Sequence, residues 1–298
     1  TSSSSKPVYG YQTTSTRVSG NVGTITTKTV TLSATKTYDG TTTLSGSQVT
    51  IGGLVGTQTL TYTGATSNDA HVGTASKYIN AITLADGTNG GVASNYQLPA
   101  LDNSHAAVTI NAATVTPTIT NTSVTKQYDG NSTSSITPTY SYSGLINGDT
   151  ITLSNTGIAY NDPNVLVANK VTVSGLSISA VTATTHSSAT TDYVHDATSH
   201  DVIASITTTT ANLSATKTYD GGTTLTSGQV SVTGIGGATL SFSLGSAALS
   251  DANVATANKY VSLGTLALTA GGTGTSATSN YTLPSSAYDA TSNKATVN

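Results

Sequence analysis

The sequence predicts an all-β fold, laid out as a tandem array of three elongated β-sandwich-like domains, and three observations point there. Thr and Ser make up about a third of the 298 residues, and β-branched Thr and Val suit the half-buried, pleated surface of a strand. Glu and Met are absent and Lys and Arg are scarce, which removes most of the strong helix formers. Three sequence landmarks also recur in one order, with a period near 90 residues, the mark of a copied unit rather than one large domain.

The first landmark is Ser-Ala-Thr-Lys-Thr-Tyr-Asp-Gly, ending at Gly40 and again at Gly221, with Ser-Val-Thr-Lys-Gln-Tyr-Asp-Gly ending at Gly130 between them. Tyr38, Tyr128 and Tyr219 are therefore spaced by 90 and 91 residues. The second is Asp-x-x-Val with a lysine eight residues after the aspartate: Asp69 to Lys77, Asp162 to Lys170, Asp251 to Lys259. The third is Ser-Asn-Tyr-x-Leu at 94–98 and 279–283, degraded to Thr191-Asp192-Tyr193-Val194 in the middle copy. These landmarks place repeats at 28–112, 113–205 and 206–298 and make residues 1–27 the tail of a preceding repeat, so the chain is expected to be cut from a longer array. In such arrays each copy packs on the next, so neighbouring repeats of the same chain are the first expected partners.

Strands between the landmarks follow from period-two alternation. Leu60 and Tyr62, Ile151 and Leu153, and Leu240, Phe242 and Leu244 alternate with Thr or Ser. After the repeated lysine, Val171/Val173 then Leu176/Ile178, and Val261/Leu263 then Leu266/Leu268, alternate with a break in phase at Ser-Gly or Gly-Thr. A β-bulge or tight bend is expected there. A closing strand is expected at 107–110, 202–206 and 295–297, and Val22 to Ile25 matches it ahead of the first Tyr-Asp-Gly. About six or seven strands per repeat fit a sandwich, with a β-grasp-related fold as the alternative. Thr-rich junctions near 111–118 and 204–210 are expected to be stiff, since they lack the Gly/Ser composition of a flexible linker.

Several function classes find no support. Net charge is -3 and the ten basic residues are spread thinly, so no row of phosphates is matched and no nucleic-acid partner is expected. No apolar run approaches the roughly 20 residues that span a bilayer. Without Cys there is no thiolate chemistry and no Cys-ligated metal. No nucleophile elbow of the Gly-x-Ser-x-Gly type, no Asp-x-Asp-x-Asp-Gly calcium loop and no cofactor motif appears. The densest polar cluster is Asp192, Asp196 and Asp201 with His186, His195 and His200, whose spacing matches no zinc pattern and reads as a solvated loop. Catalytic, cofactor and metal residues are therefore expected to be none, and the chain is expected not to be an enzyme.

The recurring residues invite a folding role instead. Asp-Gly between strand-like residues is a strong hairpin signal, and a type I′ turn is expected at Asp39-Gly40, Asp129-Gly130 and Asp220-Gly221. Tyr38, Tyr128 and Tyr219 are expected in or beside the core with their hydroxyls paired. Six of the ten basic residues occupy two repeated positions, Lys36, Lys126 and Lys217, then Lys77, Lys170 and Lys259. Each is a candidate for a Lys–Asp ion pair, an edge-strand guard, or an isopeptide cross-link in which a buried neutral lysine attacks an Asp or Asn side chain. Asp39, Asp69 and Asn95 are the local candidates for that attack. Relative to Lys170 the apolar alternation is shifted by one from that after Lys259, and a one-residue slip puts a side chain on the opposite face.

With its three Tyr-Asp-Gly strings, its Asp…Val…Lys stretches and the pairs Asn95-Tyr96 and Asn280-Tyr281, the chain resembles the YDG repeats of large secreted bacterial adhesins of the filamentous-haemagglutinin type. Gly144-Leu145 and Gly148-Asp149 are similar to that family's Gly-Asp element; repeats one and three lack it, and repeat two lacks the Asn before Tyr193. The resemblance covers nearly all of the chain beyond residue 28. It implies an extracellular location, on a bacterial surface or secreted, and a β-rich stalk or multivalent attachment fibre. Two alternatives accompany it. One is a module binding a host or matrix glycan or protein receptor; the other is a filament subunit whose closing strand completes the sheet of another copy.

Overall fold

The structure, a computed structural model, describes residues 23–146, 148–196 and 199–284 and the backbone of the strand Asn293–Val297. Among the described residues every helix is a three-residue 3-10 turn. The chain is all-β, built of three repeats of about 90 residues. It divides into two compact units, residues 1–111, with the first repeat, and residues 112–298, with the second and third.

In the first repeat, Thr31–Thr37 runs between Val49–Gly52, antiparallel, and the closing strand Val108–Asn111, parallel. Just before it, Lys28–Thr29 pairs in parallel with Tyr96–Gln97. Strict alternation along Thr31–Thr37 turns Leu32, Ala34 and Lys36 inward, so one period-two pattern buries two apolar side chains and a lysine together. A second ladder pairs Leu60–Ser67 with Ile79–Asp86, and its register shifts between Thr63 and Ser67. Val22 is outside the described residues, and 23–27 form no strand.

The third repeat repeats this plan. Asn212–Lys217 lies between Val230–Thr233 and the parallel strand Asn293–Val297, and Thr209–Thr210 pairs with Tyr281–Thr282. In the second repeat the first strand is interrupted. Ala113–Ile119 pairs with Tyr193–His195 and Tyr140–Ser143, and after a break at 120–123 Val124–Gln127 pairs with the closing strand Ser199–Thr207. Fifteen residues separate Ala113 from Tyr128, where ten separate Lys28 from Tyr38 and Thr209 from Tyr219. The phase break at Ser174-Gly175 is a change of sheet: Lys170–Ser174 pairs with Gly157–Tyr160 and Ser199–Thr207, whereas Ser177–Ala183 pairs with Asp149–Ser154. Such a corner lets one strand serve both layers of a sandwich.

Within residues 112–298 one hydrophobic cluster runs through both repeats. Tyr128, Tyr160, Val171 and Ala204 from the second belong to it, as do Leu213, Val232, Leu240 and Tyr281 from the third. Strands Ser199–Thr207 and Thr209–Thr210 are separated by one residue, which leaves no flexible linker between the two repeats.

Candidate functional site

The Tyr-Asp-Gly string is a loop stapled by the lysine that precedes it. Lys36 Nζ donates to Asp39 Oδ1 at 2.6 Å and to the carbonyls of Thr41 and Thr43 at 3.0 and 2.9 Å. Lys126 Nζ makes the same set to Asp129 Oδ1, Asn131 O and Thr133 O at 2.7, 2.7 and 3.1 Å. Lys217 Nζ reaches Asp220 Oδ1 at 2.8 Å and Thr224 O at 2.6 Å. A buried cation needs its donors satisfied and a counter-charge nearby, and this loop supplies both. The arrangement cages an ammonium group, whereas isopeptide attack needs a neutral amine, so it favours the ion-pair reading.

The same geometry corrects the hairpin expectation. Gly40, Gly130 and Gly221 carry positive φ, 77°, 83° and 83°, and the aspartates before them do not. A type I′ turn needs both. The aspartate instead accepts the N–H two residues on, from Thr41, Asn131 or Gly222, at 2.9, 3.2 and 3.0 Å, which is an Asx turn. Burial raises the Asp39 carboxyl, but the bonds from Lys36, the Thr41 N–H and the Thr41 hydroxyl outweigh it and leave the group below its ordinary value. Asp129 is lowered too, because the Lys126 and Asn131 bonds outweigh desolvation. Asp220 is lowered chiefly by Lys217, then by the Gly222 N–H.

The second lysine differs between repeats. Lys77 Nζ donates to Val72 O and Thr74 O at 3.0 and 2.5 Å, and Lys259 Nζ to Val254 O and Thr256 O. Both are buried. Lys170 is exposed and pairs with Asp201 Oδ2 across the sheet at 2.7 Å. The backbone shows why. The carbonyls of Tyr78, Lys170 and Tyr260 accept from Asn68, Asn161 and Ser250, each the residue before the landmark aspartate. Lys170 therefore occupies the outward position held by Tyr78 and Tyr260, because its loop is one residue shorter. Ser76 and Asn258, at φ 57° in the longer loops, have no counterpart there. Asp69, Asp162 and Asp251 each accept the N–H two residues on, at 2.7, 2.7 and 2.6 Å, and so shape the loop.

At the other end of each repeat, the tyrosine of the third landmark pins a loop through its hydroxyl. Tyr96, Tyr193 and Tyr281 accept the backbone N–H of Val55, Ile146 and Ile235 at 3.1, 3.2 and 3.0 Å. Tyr96 donates in turn to Gln58 Oε1 at 2.5 Å and Tyr281 to Thr275 O at 2.6 Å. Tyr193 donates to Asp149, a buried carboxylate that also takes the Ser188 hydroxyl at 2.7 Å and lies 3.0 Å from His186 Nε2. The Gly-Asp of the second repeat thus serves a folding contact. The other polar residues of that region disperse: Asp196 bonds Thr116, Asp201 bonds Lys170 and Thr172, and His200 lies against Tyr140. Among the described residues no three His, Asp, Glu or Cys side chains gather as a metal site would require.

Where the second repeat meets the third, the two landmark ends join. The Tyr128 ring meets the Tyr281 ring edge-on at 5.4 Å, and its hydroxyl donates to Gly274 O at 3.3 Å. Asn280, fully buried, accepts the Val165 N–H at 2.9 Å and donates to Asn164 Oδ1 at 2.7 Å. Burial, then the neighbouring Tyr281, raises the Tyr128 phenol. The three Tyr-Asp-Gly tyrosines are not alike: Tyr38, stacked on His71 at 6.2 Å, is 2% exposed and Tyr128 3%, but Tyr219 is 56% exposed. The expectation of a core position for Tyr219 is corrected, since no third-landmark end covers it among the described residues.

The first repeat also carries an open groove of about 800 Å³, lined by Leu44, Val49, Ile51, Leu54, Leu60 and Tyr62. It lies beside the hairpin strand Leu60–Ser67, and its lining residue Leu44 directly follows Thr43 of the lysine loop. No helix of the described residues is long and apolar enough to cross a membrane. Neither a curated protein nor a solved structure matches the chain. A family model described as the YDG domain matches residues 16–104, 111–199 and 202–292. The chain belongs to the YDG domain family, of which it carries three tandem copies.

Proposed function

We propose that this chain is a structural and adhesive repeat segment of a bacterial cell-surface or secreted adhesin, acting as a stalk or multivalent attachment fibre. The observation that carries this reading is the junction of the second and third repeats, where one hydrophobic cluster and the Asn280 bridge join two copies. Repeats that share a core transmit load to one another, whereas repeats on loose linkers do not. Apart from Lys170 and Tyr219, which are exposed, the recurring Lys, Tyr, Asp and Gly shape loops and junctions, which is where a load-bearing repeat needs them. Multiplying copies raises avidity without a deep site in any one.

The groove of the first repeat favours the second reading, a glycan- or receptor-binding module, because concave, mostly apolar clefts are where small ligands bind. Strand addition has less support: each closing strand lies in parallel within its own repeat, beside Ala34–Thr37, Val124–Gln127 and Leu213–Lys217. Immobilised chain screened against a glycan array and a panel of matrix proteins separates the readings. A stalk is expected to show no saturable binding. Saturable binding lost in Tyr62→Ala would replace it with a receptor module.

A further inference from the structure

We infer that the second repeat carries a binding pocket of its own, which takes one neutral sugar residue, free or at the end of a glycan. It is a cavity of about 280 Å³ beside the lysine loop, with Val124, Lys126, Asp129, Ser134, Ser135 and Tyr160 in its walls.

The other two repeats show why it opens here. Eight residues after the first lysine stand Leu44 and Leu225, both buried, where the second repeat has Ser134. Two residues before that lysine, Ala34 and Ala215 are buried opposite Val49 and Val230 of the neighbouring strand. Val124, their counterpart, has no such neighbour. The break at 120–123 leaves Val124–Gln127 at the edge of its sheet, paired only with Ser199–Thr207. Accordingly the side chain of Lys126 is 18% exposed, against 0% for Lys36 and 3% for Lys217. In a close-packed fold, a leucine and a strand partner lost from one place leave room.

A third exchange adds chemistry. Two residues before the landmark aspartate stand Ser67, Tyr160 and Leu249. Each donates its N–H to the carbonyl two residues past the Tyr-Asp-Gly glycine, that of Thr42, Ser132 or Thr223. The Ser67 hydroxyl is paired with the Thr42 and Asp69 carbonyls, and Leu249 has no hydroxyl. The Tyr160 hydroxyl is buried with no hydrogen-bond partner among the described residues. A buried hydroxyl is costly until something pairs it. Burial, then the Asp129 charge, raises the Tyr160 phenol, so it stays protonated and able to donate.

The remaining groups select the ligand. Lys126 Nζ already faces Asp129 Oδ1, Asn131 O, Asn131 Oδ1 and Thr133 O. An ammonium group with its three protons so engaged has none to spare for an anion. Asp129 Oδ2 takes no part in these bonds and can accept, while the Ser134 and Ser135 hydroxyls can donate and accept. A paired charge, several hydroxyls and an apolar wall at Val124 suit a neutral polyol with C–H faces. The volume lies at the small end for ligand sites, which leaves room for one sugar ring. Such a contact is of roughly millimolar strength, too weak for one pocket per chain to hold the chain on a glycan array. The inference rests on the attachment half of the proposed function, in which many weak contacts add, and is independent of the groove in the first repeat.

Amide NMR of the isotope-labelled 298-residue protein, titrated with glucose, galactose, mannose and N-acetylglucosamine, tests it. Sialic acid is the anionic control and should shift nothing. At least one neutral sugar is expected to shift the amides of residues 131–135 saturably, and its methyl glycoside separates a glycan end, which still binds, from a free reducing sugar. Ser134→Leu, which installs the residue of the other two repeats, should abolish the shifts. Tyr160→Phe should weaken binding about fivefold, as loss of one hydrogen bond does, and leave the melting temperature unchanged. Tyr62→Ala should leave the shifts intact, which separates this pocket from the groove. No saturable shift with any neutral sugar would overturn the inference, as would shifts that survive Ser134→Leu or affinity unchanged in Tyr160→Phe. Each of those results would leave the stalk reading standing.

Discussion

Lys36 and Lys217 sit on the inward face of their strands because their spacing from Leu32 and Leu213 is even, and the loop that follows turns back to supply acceptors. Removing such a lysine strands Asp39 or Asp220 and leaves carbonyls without donors. The second lysine position offers a sharper contrast. Lys77→Ala is expected to cost about 2–3 kcal/mol, the range for a buried charged donor, whereas Lys170→Ala, at an exposed ion pair, should cost under about 1 kcal/mol. Thermal or urea unfolding of the two variants checks this. Acid gives a second test. The Asp39, Asp129 and Asp220 carboxyls lie below their ordinary value of 3.8 in the folded chain. Their contribution is therefore complete above that value and is lost as pH falls through the folded ones. Melting temperatures between about pH 5 and pH 2 should fall, and Lys36→Met should flatten part of that slope.

At the scale of elements, much was legible in the sequence and the reasons are local. Alternation of Leu60 with Tyr62 and of Ile151 with Leu153 gave strands because each has one buried face, and the closing strands stood out by their position after each third landmark. What was not legible depended on register or on distant partners. An eight-residue Asp-to-Lys spacing is common to all three repeats, yet one lysine faces water because its hairpin loop is a residue shorter; only the shifted valines after Lys170 carried that signal. Asp-Gly resembles a hairpin turn locally, and the lysine three residues earlier redirects it to an Asx turn. Gly234 shows how an unmarked glycine can be decisive. A Cβ there would overlap the Tyr281 ring, while one at Gly228 would meet nothing. Gly234→Ala is expected to destabilise by about 1–3 kcal/mol, as overpacking does. Gly228→Ala should stay within about 1 kcal/mol of wild type. Chemical denaturation of both variants decides it.

Over the whole molecule, the third landmark proves to be a junction device as well as a loop clamp. Asn280 was visible as part of a repeated motif, but its partners Asn164 and Val165 lie more than a hundred residues earlier, beyond any local pattern. Tyr219 was grouped with Tyr38 and Tyr128 because their strings match, and it differs from Tyr128 because the burial of Tyr128 comes from the third repeat. The central claim is that the second and third repeats form one body held at Tyr128, Asn280 and Tyr281. Differential scanning calorimetry of the intact chain and of Asn280→Ala tests it most directly. Residues 112–298 are expected to melt in one transition whose calorimetric and van't Hoff enthalpies agree, and the substitution should split that transition in two. Separate melting of the second and third repeats in the wild-type chain would contradict the claim.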